Sequence, residues 1–261
     1  MDPTKQIGVT RIRGNRAEEV LDEVVVEAPM EIRLGSVPLA VLMRTPGNEE
    51  DLILGFAITE GIVLGPQEVA GVKGEGDGDR FRLILADGVV IDPEQYRRNT
   101  YTTSSCGVCG KASIDAVRIA SPPLGDGPIV PIDLILSLPD RLAEAQPAFA
   151  ATGGLHAAAI FDQKGALLTA AEDVGRHNAT DKAIGSLAGT RWPLGDVILM
   201  VSGRISFEIT QKAAVAGISM VVGISAASSL AVELADDLGM TVIGFVRGDG
   251  LVAYTGEARL T

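Results

Sequence analysis

Cysteine and histidine are scarce in this chain of 261 residues, which contains two of each. Two cysteines cannot build the disulfide framework of a small secreted protein, and they suit a reducing compartment. A zinc site that used Cys106 and Cys109 would need two further ligands, and besides carboxylates only His156 and His177 remain. The scarcity therefore concentrates any sulfur chemistry in one short segment.

Long apolar runs and an excess of basic charge are also missing. No stretch of about 18 apolar residues occurs, so we expect no membrane span, and the first residues lack the apolar core of a signal peptide. The formal net charge of −12 argues against non-specific binding to nucleic acid. We therefore expect a cytoplasmic protein with neither nucleic-acid nor membrane partners.

Both cysteines lie in the segment YTTSSCGVCGKAS, residues 101–113, three positions apart. Alanines at helical spacing follow Cys109, so the pattern predicts that both thiols lie at a helix N-terminus. There the helix dipole and Lys111 would stabilise a thiolate. The glycines and hydroxyl residues of the segment predict a movable loop that carries a reactive sulfur. We favour Cys106 as the sulfur acceptor because it lies further out, with Cys109 as a second thiol.

Other interpretations of a CxxC segment stay open at this point. It could be half of a zinc site, a redox pair of the thioredoxin type or a structural disulfide. The thioredoxin motif follows an apolar strand, which is missing here, and a disulfide across so small a loop would stabilise little. In a chain with so few cysteines, a catalytic or metal-binding pair is the more common case.

Five segments in succession match a known family. They read TSSCGVCGKASID, GGLHAAAIF, EDVGRHNATDKAIG, SGRISFEITQKAAVAGI and GMTVIGFVRG. Together they resemble the formate dehydrogenase accessory sulfurtransferases, and the resemblance extends over nearly the whole chain, starting near Glu23. Because several long motifs occur in the same order, the resemblance is specific.

The resemblance implies a sulfur carrier with sulfurtransferase-like activity through a cysteine persulfide. Such a carrier takes sulfur from a cysteine desulfurase and delivers it to the bis-molybdopterin guanine dinucleotide cofactor of molybdenum, before the cofactor is inserted into formate dehydrogenase. The molybdenum cofactor is then a bound acceptor, and GDP could occupy its site. Family members form homodimers. Their cofactor site includes the segment that matches Phe245, Val246, Arg247, Gly248, Asp249 and Gly250.

The resemblance also implies the fold, an α/β architecture with a cytidine deaminase-like three-layer α/β/α domain and a smaller α+β domain. We expect residues 1–100 to form mainly the small domain, residues 101–125 the cysteine loop and its helix, and residues 126–261 the larger domain with the cofactor site. Two rival functions follow. The protein could be a chaperone that holds the cofactor without sulfur transfer, or a zinc-dependent deaminase-like hydrolase. The deaminase motifs HxE and PCxxC are both incomplete here.

Apolar periodicity predicts the elements of the first part of the chain. Residues 1–16 are expected to be frayed, unless VTRIR pairs as an edge strand. Five segments are predicted as strands, namely DEVVVEA, MEIRL, VPLAVLMRT, FRLILAD and VVID. Asn48 is predicted to cap a helix over EEDLILGFAITEGI, and GEGDGD is predicted to be a hairpin tip.

Three apolar strands that alternate with helices follow in the second part, in GDVILMVS, SMVVGIS and MTVIGFV. This alternation predicts parallel strands covered on both faces. Ligands bind beyond the carboxyl ends of such strands. The residues there that suit a phosphate are Ser202, Gly203 and Arg204, the serines near 225–229, and Arg247 with Gly248. Serines at such positions are, however, often ordinary helix N-caps.

Two further polar positions are candidate cofactor contacts. His156 begins the strand of a predicted hairpin, directly after two glycines that would let a ligand approach. Arg176 and His177 lie in EDVGRHNATDKAIG, predicted to be helical from about Gly175; Arg176 could hold phosphate and His177 could move a proton. The alternatives are a satisfied core histidine for His156 and a merely solvated helix face for the other two.

Overall fold

The computed structural model describes residues 2–76, 78–96, 121 and 124–261. Cys106, Cys109 and Lys111, with the helix predicted to follow them, lie outside these residues. Within the described part, the strands and helices form a hairpin, two larger sheets and six α-helices. None of these helices is long and apolar enough to cross a membrane.

A long hairpin opens the chain. Its strands β1 (Thr4–Arg13) and β2 (Arg16–Val25) pair antiparallel along their whole length. The expectation of a frayed N-terminus is therefore wrong from Thr4 onward, and the edge-strand alternative is nearer the structure. The signal that the sequence analysis missed is Gly14 followed by Asn15, a dipeptide typical of a two-residue hairpin turn, with Gly14 at φ 59°.

A four-stranded sheet with one helix follows. Its strands are β3 (Ala28–Leu34), β4 (Val37–Arg44), β5 (Val69–Glu75) and β6 (Arg80–Leu85), in the order β4-β3-β6-β5. Helix α1 (Glu49–Thr59) supplies buried side chains to the same core as β3, β4 and β6. The β5–β6 hairpin confirms the predicted tip at GEGDGD. The apolar core under this sheet forms from alternate strand residues, as the period of two predicts.

Two predictions in this region are wrong. VVID, residues 89–92, forms no strand, because it follows a turn in which Val89 N–H bonds to the Ala86 carbonyl, and Val90 is 92% exposed with nothing to pack against. Asn48 precedes α1 but makes no capping bond to its backbone; its side chain bonds to Asp51 instead. Asn48 itself has a left-handed backbone, φ 58°, which does not suit an ordinary N-cap.

A six-stranded sheet forms the second part, in the order β12-β11-β10-β9-β7-β8. Strands β9 (Val197–Val201), β10 (Met220–Gly223) and β11 (Thr241–Arg247) are parallel, which confirms the prediction. Strands β7 (His156–Asp162) and β8 (Leu167–Asp173) form the predicted hairpin, and β7 pairs antiparallel with β9. Strand β12 (Gly250–Thr255), which was not predicted, returns antiparallel along β11.

Helices cover both faces of this sheet. Buried residues of α4 (Arg176–Ala188), α5 (Phe207–Val215) and α6 (Ser229–Asp237) pack on one face, and those of α2 (Ile132–Glu144) pack on the other. A short helix, α3 (Pro147–Thr152), precedes β7. The predicted three-layer α/β/α arrangement is therefore confirmed.

Helix α2 contains a proline in its interior. The helix continues through Pro139, although an internal proline usually kinks or ends a helix. An internal proline costs a helix about 3 kcal/mol. Ile135, Leu138 and Leu142 are fully buried on the sheet, and each such side chain contributes about 1.5–3 kcal/mol, so packing outweighs the lost hydrogen bond.

The two parts of the chain meet where α1 crosses α4. A Cβ atom added at Gly55 would lie 1.9 Å from the Asp181 carbonyl oxygen, and one at Gly185 would lie 1.9 Å from the Asp51 carbonyl oxygen. The two helix backbones are therefore in direct contact, which only glycine permits. This contact joins the predicted small domain, residues 1–100, to the predicted larger domain, residues 126–261. The division of the chain into three parts therefore stays a prediction.

Candidate functional site at the sheet edge

One edge of the six-stranded sheet collects most of the predicted site residues. The carboxyl ends of the parallel strands β9, β10 and β11 meet there, and antiparallel β7 begins there. Three backbone bonds fix this adjacency: Ser202 N–H to the Ala157 carbonyl at 2.9 Å, Ile224 N–H to Val201 at 3.2 Å, and Phe245 N–H to Ser225 at 3.1 Å. His156, the 202–204 segment and the 245–250 segment thus share one edge.

His156, Arg176 and Gly203 pack directly against one another. A Cβ atom on Gly203 would lie 3.3 Å from His156 Nδ1 and 3.6 Å from Arg176 Cδ. Gly203 is itself buried, so it lets these two side chains approach and does not offer open backbone to a ligand. The buried Nε of Arg176 has no hydrogen-bond partner among the described residues, whereas Arg204 is exposed. A phosphate oxygen would suit such an unpaired donor.

The electrostatic surroundings keep His156 neutral. Burial lowers the pKa of His156 below its ordinary value, and the positive charges of Arg176, His177 and Arg204 lower it further, while Asp173 opposes them. At neutral pH the imidazole is therefore uncharged, near the guanidinium groups of Arg176 and Arg204. This arrangement can hold an anion and can also take up a proton when that anion arrives.

His177 lies beneath the edge and has a carboxylate partner. Its Nε2 lies 2.8 Å from Glu208 Oε2 and 3.4 Å from Ser206 Oγ, and the residue is only 7% exposed. The contact joins the start of α4 to the start of α5. The sequence analysis missed Glu208, because its proximity to His177 depends on how the two helices pack.

Asp173 fixes the start of α4. The sequence analysis did not name it as a candidate site residue. It is fully buried and accepts hydrogen bonds from the backbone N–H groups of Thr45 and Gly175, at 3.1 and 2.9 Å. Asn178 Nδ2 and Lys182 Nζ bond to it at 2.9 and 2.8 Å. These contacts hold the helix start, and hence Arg176, at the sheet edge.

Further along α4, Asp181 and Lys182 are neither solvated nor directed to the sheet edge. Asp181 is buried and bonds to Lys212 of α5 and to Thr59 of α1, at 2.9 and 2.7 Å. Lys182 reaches Asp173 and the Thr45 carbonyl. Helix α1 covers these side chains of α4. Their ion pairs and hydrogen bonds therefore join the two parts of the chain.

The serines have ordinary structural contacts. Ser202 Oγ accepts a hydrogen bond from Ala157 N–H at 2.9 Å, which ties β9 to β7. Ser228 is the N-cap of α6, and its Oγ accepts from Ala231 N–H at 3.4 Å. Ser228 is therefore an ordinary helix N-cap, which was the alternative to a phosphate contact.

The 245–250 segment forms a distorted turn of the β11–β12 hairpin. Phe245 has a left-handed backbone, φ 53°, and the strand register shifts between Gly244 and Arg247. The Arg247 guanidinium lies 5.4 Å from the centre of the Phe245 ring. Such an unfavourable backbone is typical of functional sites. The ring and the guanidinium together form a surface on which a planar base could stack.

The remaining residues of this segment differ in exposure. Val246 is fully buried in the core under α2, so its side chain does not reach the edge. Gly248, Asp249 and Gly250 are exposed in the turn. From β11 to β7 the edge spans three strand spacings, about 14 Å, which suits an extended ligand with charged groups along its length.

Comparison with known proteins decides the family. The model of the FdhD/NarQ family matches residues 25–261. A sulfur carrier protein FdhD from Streptomyces avermitilis is 46% identical, with 98% of this chain and 95% of that protein covered. The FdhD of Mycobacterium tuberculosis is also 46% identical, with 96% and 97% covered. This chain belongs to the FdhD/NarQ family.

The fold of this family member is also seen in a solved structure. The crystal structure of a candidate formate dehydrogenase accessory protein from Desulfotalea psychrophila matches it with a TM-score of 0.81 at 22% identity, over the whole of both chains. At this identity the likeness supports the fold alone.

Metal binding was a further question for this family member. In residues 2–76, 78–96, 121 and 124–261, no group of three histidine, cysteine, aspartate or glutamate side chains could hold a metal ion. The zinc interpretation depends on Cys106 and Cys109, which lie outside those ranges.

Proposed function

We propose that this protein is a sulfur carrier that supports formate dehydrogenase. It takes sulfane sulfur from a cysteine desulfurase and delivers it to the bis-molybdopterin guanine dinucleotide cofactor of molybdenum, bound as a substrate along the sheet edge. It acts in the cytoplasm, where a reducing environment keeps its thiols available. Relatives named sulfur carrier protein FdhD, at 46% identity over nearly the whole chain, support the first part of this proposal.

One observation carries the choice of the sheet edge. Arg176 has a buried Nε without a hydrogen-bond partner in the described part of the chain, next to neutral His156 and exposed Arg204. Two guanidinium groups are suited to a pyrophosphate. About 14 Å along the same edge, Phe245 and Arg247 would stack on a guanine. A guanine dinucleotide carries both groups, so its length and chemistry fit this edge.

The sulfur steps are assigned to the two cysteines from their spacing and from the family. The Cys106 thiolate attacks the outer sulfur of the desulfurase persulfide. One sulfur–sulfur bond forms as another breaks, and the desulfurase cysteine leaves as a thiolate. The persulfide persists until the acceptor is bound, and the Cys109 thiolate then attacks the inner sulfur of the Cys106 persulfide. The outer sulfur leaves as hydrosulfide with two electrons, and the resulting disulfide must be reduced by a cellular dithiol.

The double variant C106A/C109A separates this carrier from a chaperone that only holds the cofactor. In cells that lack their own FdhD, the wild-type protein should restore formate dehydrogenase activity and the variant should not, at equal amounts of carrier protein. Full activity with the variant would overturn sulfur transfer and support the chaperone.

The location of the acceptor is tested separately by binding of GDP to the purified protein. Arg204→Gln should weaken binding by about tenfold or more, because a hydrogen bond to a charged group contributes about 1.5–3 kcal/mol. Arg191→Gln is the matched control, since Arg191 is exposed but lies in the loop after α4, away from this edge. Equal affinity of the wild type and Arg204→Gln would refute this location.

A further inference from the structure

The four-stranded sheet has one covered face and one open face. Helix α1 covers the face that carries Met30, Ile32 and Leu83, which share one apolar core with it. Successive residues of a strand point to opposite faces, so the residues between these buried ones lie on the other side. We call that side the outer face. It includes Glu31, Arg33, Val41, Met43, Lys73, Glu75, Arg80, Arg82 and Ile84.

Three basic side chains form one row across the outer face. Arg33 of β3 is the register partner of Arg82 of β6, and Arg82 is the register partner of Lys73 of β5. Like charges directly opposite each other on a sheet destabilise it. Acidic residues outnumber basic ones in this chain, with a formal net charge of −12, yet none separates these three. Such a locally unfavourable arrangement is expected where a surface serves binding.

The carboxylates of the outer face do not cancel its positive charge. Arg33 Nε lies 3.2 Å from Glu31 Oε1, and Arg82 Nη2 lies 2.5 Å from Glu75 Oε1. Lys73 is exposed and makes no ion pair with a residue of the described ranges. With four basic and two acidic side chains, the outer face is positive on a protein whose total charge is negative. It is therefore suited to an acidic partner.

Aliphatic side chains beside the basic row indicate that the partner is a protein. Val41, Met43 and Ile84 are 39%, 48% and 40% exposed. Methionine and arginine are enriched in protein–protein interfaces. The outer face as defined above carries no aromatic side chain, whereas proteins that bind single-stranded nucleic acid stack its bases on aromatic rings. A protein surface with acidic and apolar side chains therefore matches the outer face.

The outer face is remote from the candidate site at the sheet edge. Helix α1 packs under the four-stranded sheet and crosses α4 at Gly55 and Gly185, and α4 packs on the six-stranded sheet. The two helices therefore lie between the two sheets, and the outer face is turned away from the six-stranded sheet. A protein bound to the outer face leaves the sheet edge open to the acceptor.

We propose that the outer face docks the cysteine desulfurase through an acidic surface of that enzyme, an inference that rests on the proposed function. A remote docking surface lets the desulfurase load the carrier whether or not the acceptor occupies the sheet edge. Formate dehydrogenase receives the cofactor from the sheet edge and must approach there instead. Four strands at about 4.8 Å and seven residues at about 3.3 Å cover about 440 Å². This is less than the ~800 Å² per partner of a standard interface, so the complex is transient.

Biolayer interferometry of the full chain with the cysteine desulfurase of the same organism, over a series of salt concentrations, tests the docking. The double variant K73Q/R82Q should bind about tenfold more weakly or worse and depend less on salt, because two charged contacts are lost. R13Q/R16Q is the matched control. It removes the same charge from exposed positions beside the β1–β2 turn and should bind like the wild type. Unaltered melting temperatures would verify that both variants fold.

Intact mass of the same mixtures keeps the docking apart from the carrier function. K73Q/R82Q should gain sulfur more slowly than the wild type at low desulfurase concentration, and to the same extent with desulfurase in excess. If the wild type gains sulfur and K73Q/R82Q binds equally well, docking at the outer face is overturned and the carrier function stands. If K73Q/R82Q alone binds weakly but the wild type gains no sulfur, the docking stands and the carrier function fails. No binding of the wild type, or an equal loss in R13Q/R16Q, also overturns the docking.

Discussion

Replacing Lys212 with methionine should destabilise the folded protein by about 3–5 kcal/mol, the usual cost of breaking a buried ion pair from one side. Lys212 Nζ lies 2.9 Å from Asp181 Oδ2 and from Thr59 Oγ1, and 3.1 Å from Glu60 Oε1. Lys212 is 4% exposed and Asp181 2%. Water therefore cannot replace the ammonium group in the variant, and the charge of Asp181 loses its main compensation.

The loss of stability in Lys212→Met should also depend on pH, and the pKa shifts give the direction of that dependence. Burial lowers the pKa of Lys212, but the carboxylates of Asp181 and Glu60 outweigh it, so the pKa lies above its ordinary value and the wild-type lysine stays charged. Burial raises the pKa of Asp181, and without Lys212 nothing of equal strength lowers it. A raised pKa favours the folded state at low pH and loses that effect as the pH rises through it. The deficit of Lys212→Met should therefore be smaller at about pH 5 than at about pH 8.

Urea unfolding of the full chain measures these differences. Lys164→Met is the control, because Lys164 is exposed and its replacement should change stability by no more than about 0.5 kcal/mol. The double variant D181L/K212M should be more stable than K212M, since it leaves no isolated buried charge at these two positions. A loss below about 1 kcal/mol in K212M, or a larger deficit at low pH, would refute the reasoning.

Two further predictions concern the helix crossing and the sheet edge. Gly185→Ala should lower the melting temperature strongly, because its Cβ would lie 1.9 Å from a backbone oxygen and overpacking costs about 1–3 kcal/mol or more. Gly189→Ala is the control. It has open space around its Cβ position and should leave the melting temperature unchanged. Pyrophosphate should bind more tightly as the pH falls, since the anion offsets Arg176 and Arg204 and restores the pKa of His156. Calorimetry in two buffers should show proton uptake, and His156→Gln should abolish it; uptake that persists would contradict this role.

The sheet and its edge were predictable from the sequence because their signals are local. Continuous apolar runs followed by short polar exits indicate parallel strands whose ends meet at one edge. The adjacency of the 202–204 and 245–250 segments follows from that topology. His156 also reaches this edge, because β7 runs antiparallel to β9.

The buried polar contacts were not predictable in the same way. Asp181 and Lys182 form part of a polar helix face, which usually lies in water or lines a site. The structure buries them because α1 crosses α4 at two glycines, and the sequence gives no sign that these distant helices touch. Glu208 was missed for the same reason, since its contact with His177 joins two helices.

The long hairpin was missed for a different reason. Ile7, Ile12 and Leu21 of its strands are exposed, so the alternation that marks a half-buried strand is weak there. The Gly14–Asn15 turn and the matched length of the two strands specify it instead.

The central claim is that this protein carries sulfur on a cysteine, and intact mass measures it most directly. The purified protein is incubated with a cysteine desulfurase and cysteine, and its mass is compared with that of the untreated protein. We predict a gain of one sulfur atom in the wild type and in Cys109→Ala, and no gain in Cys106→Ala. A wild-type protein that gains no sulfur would contradict the account.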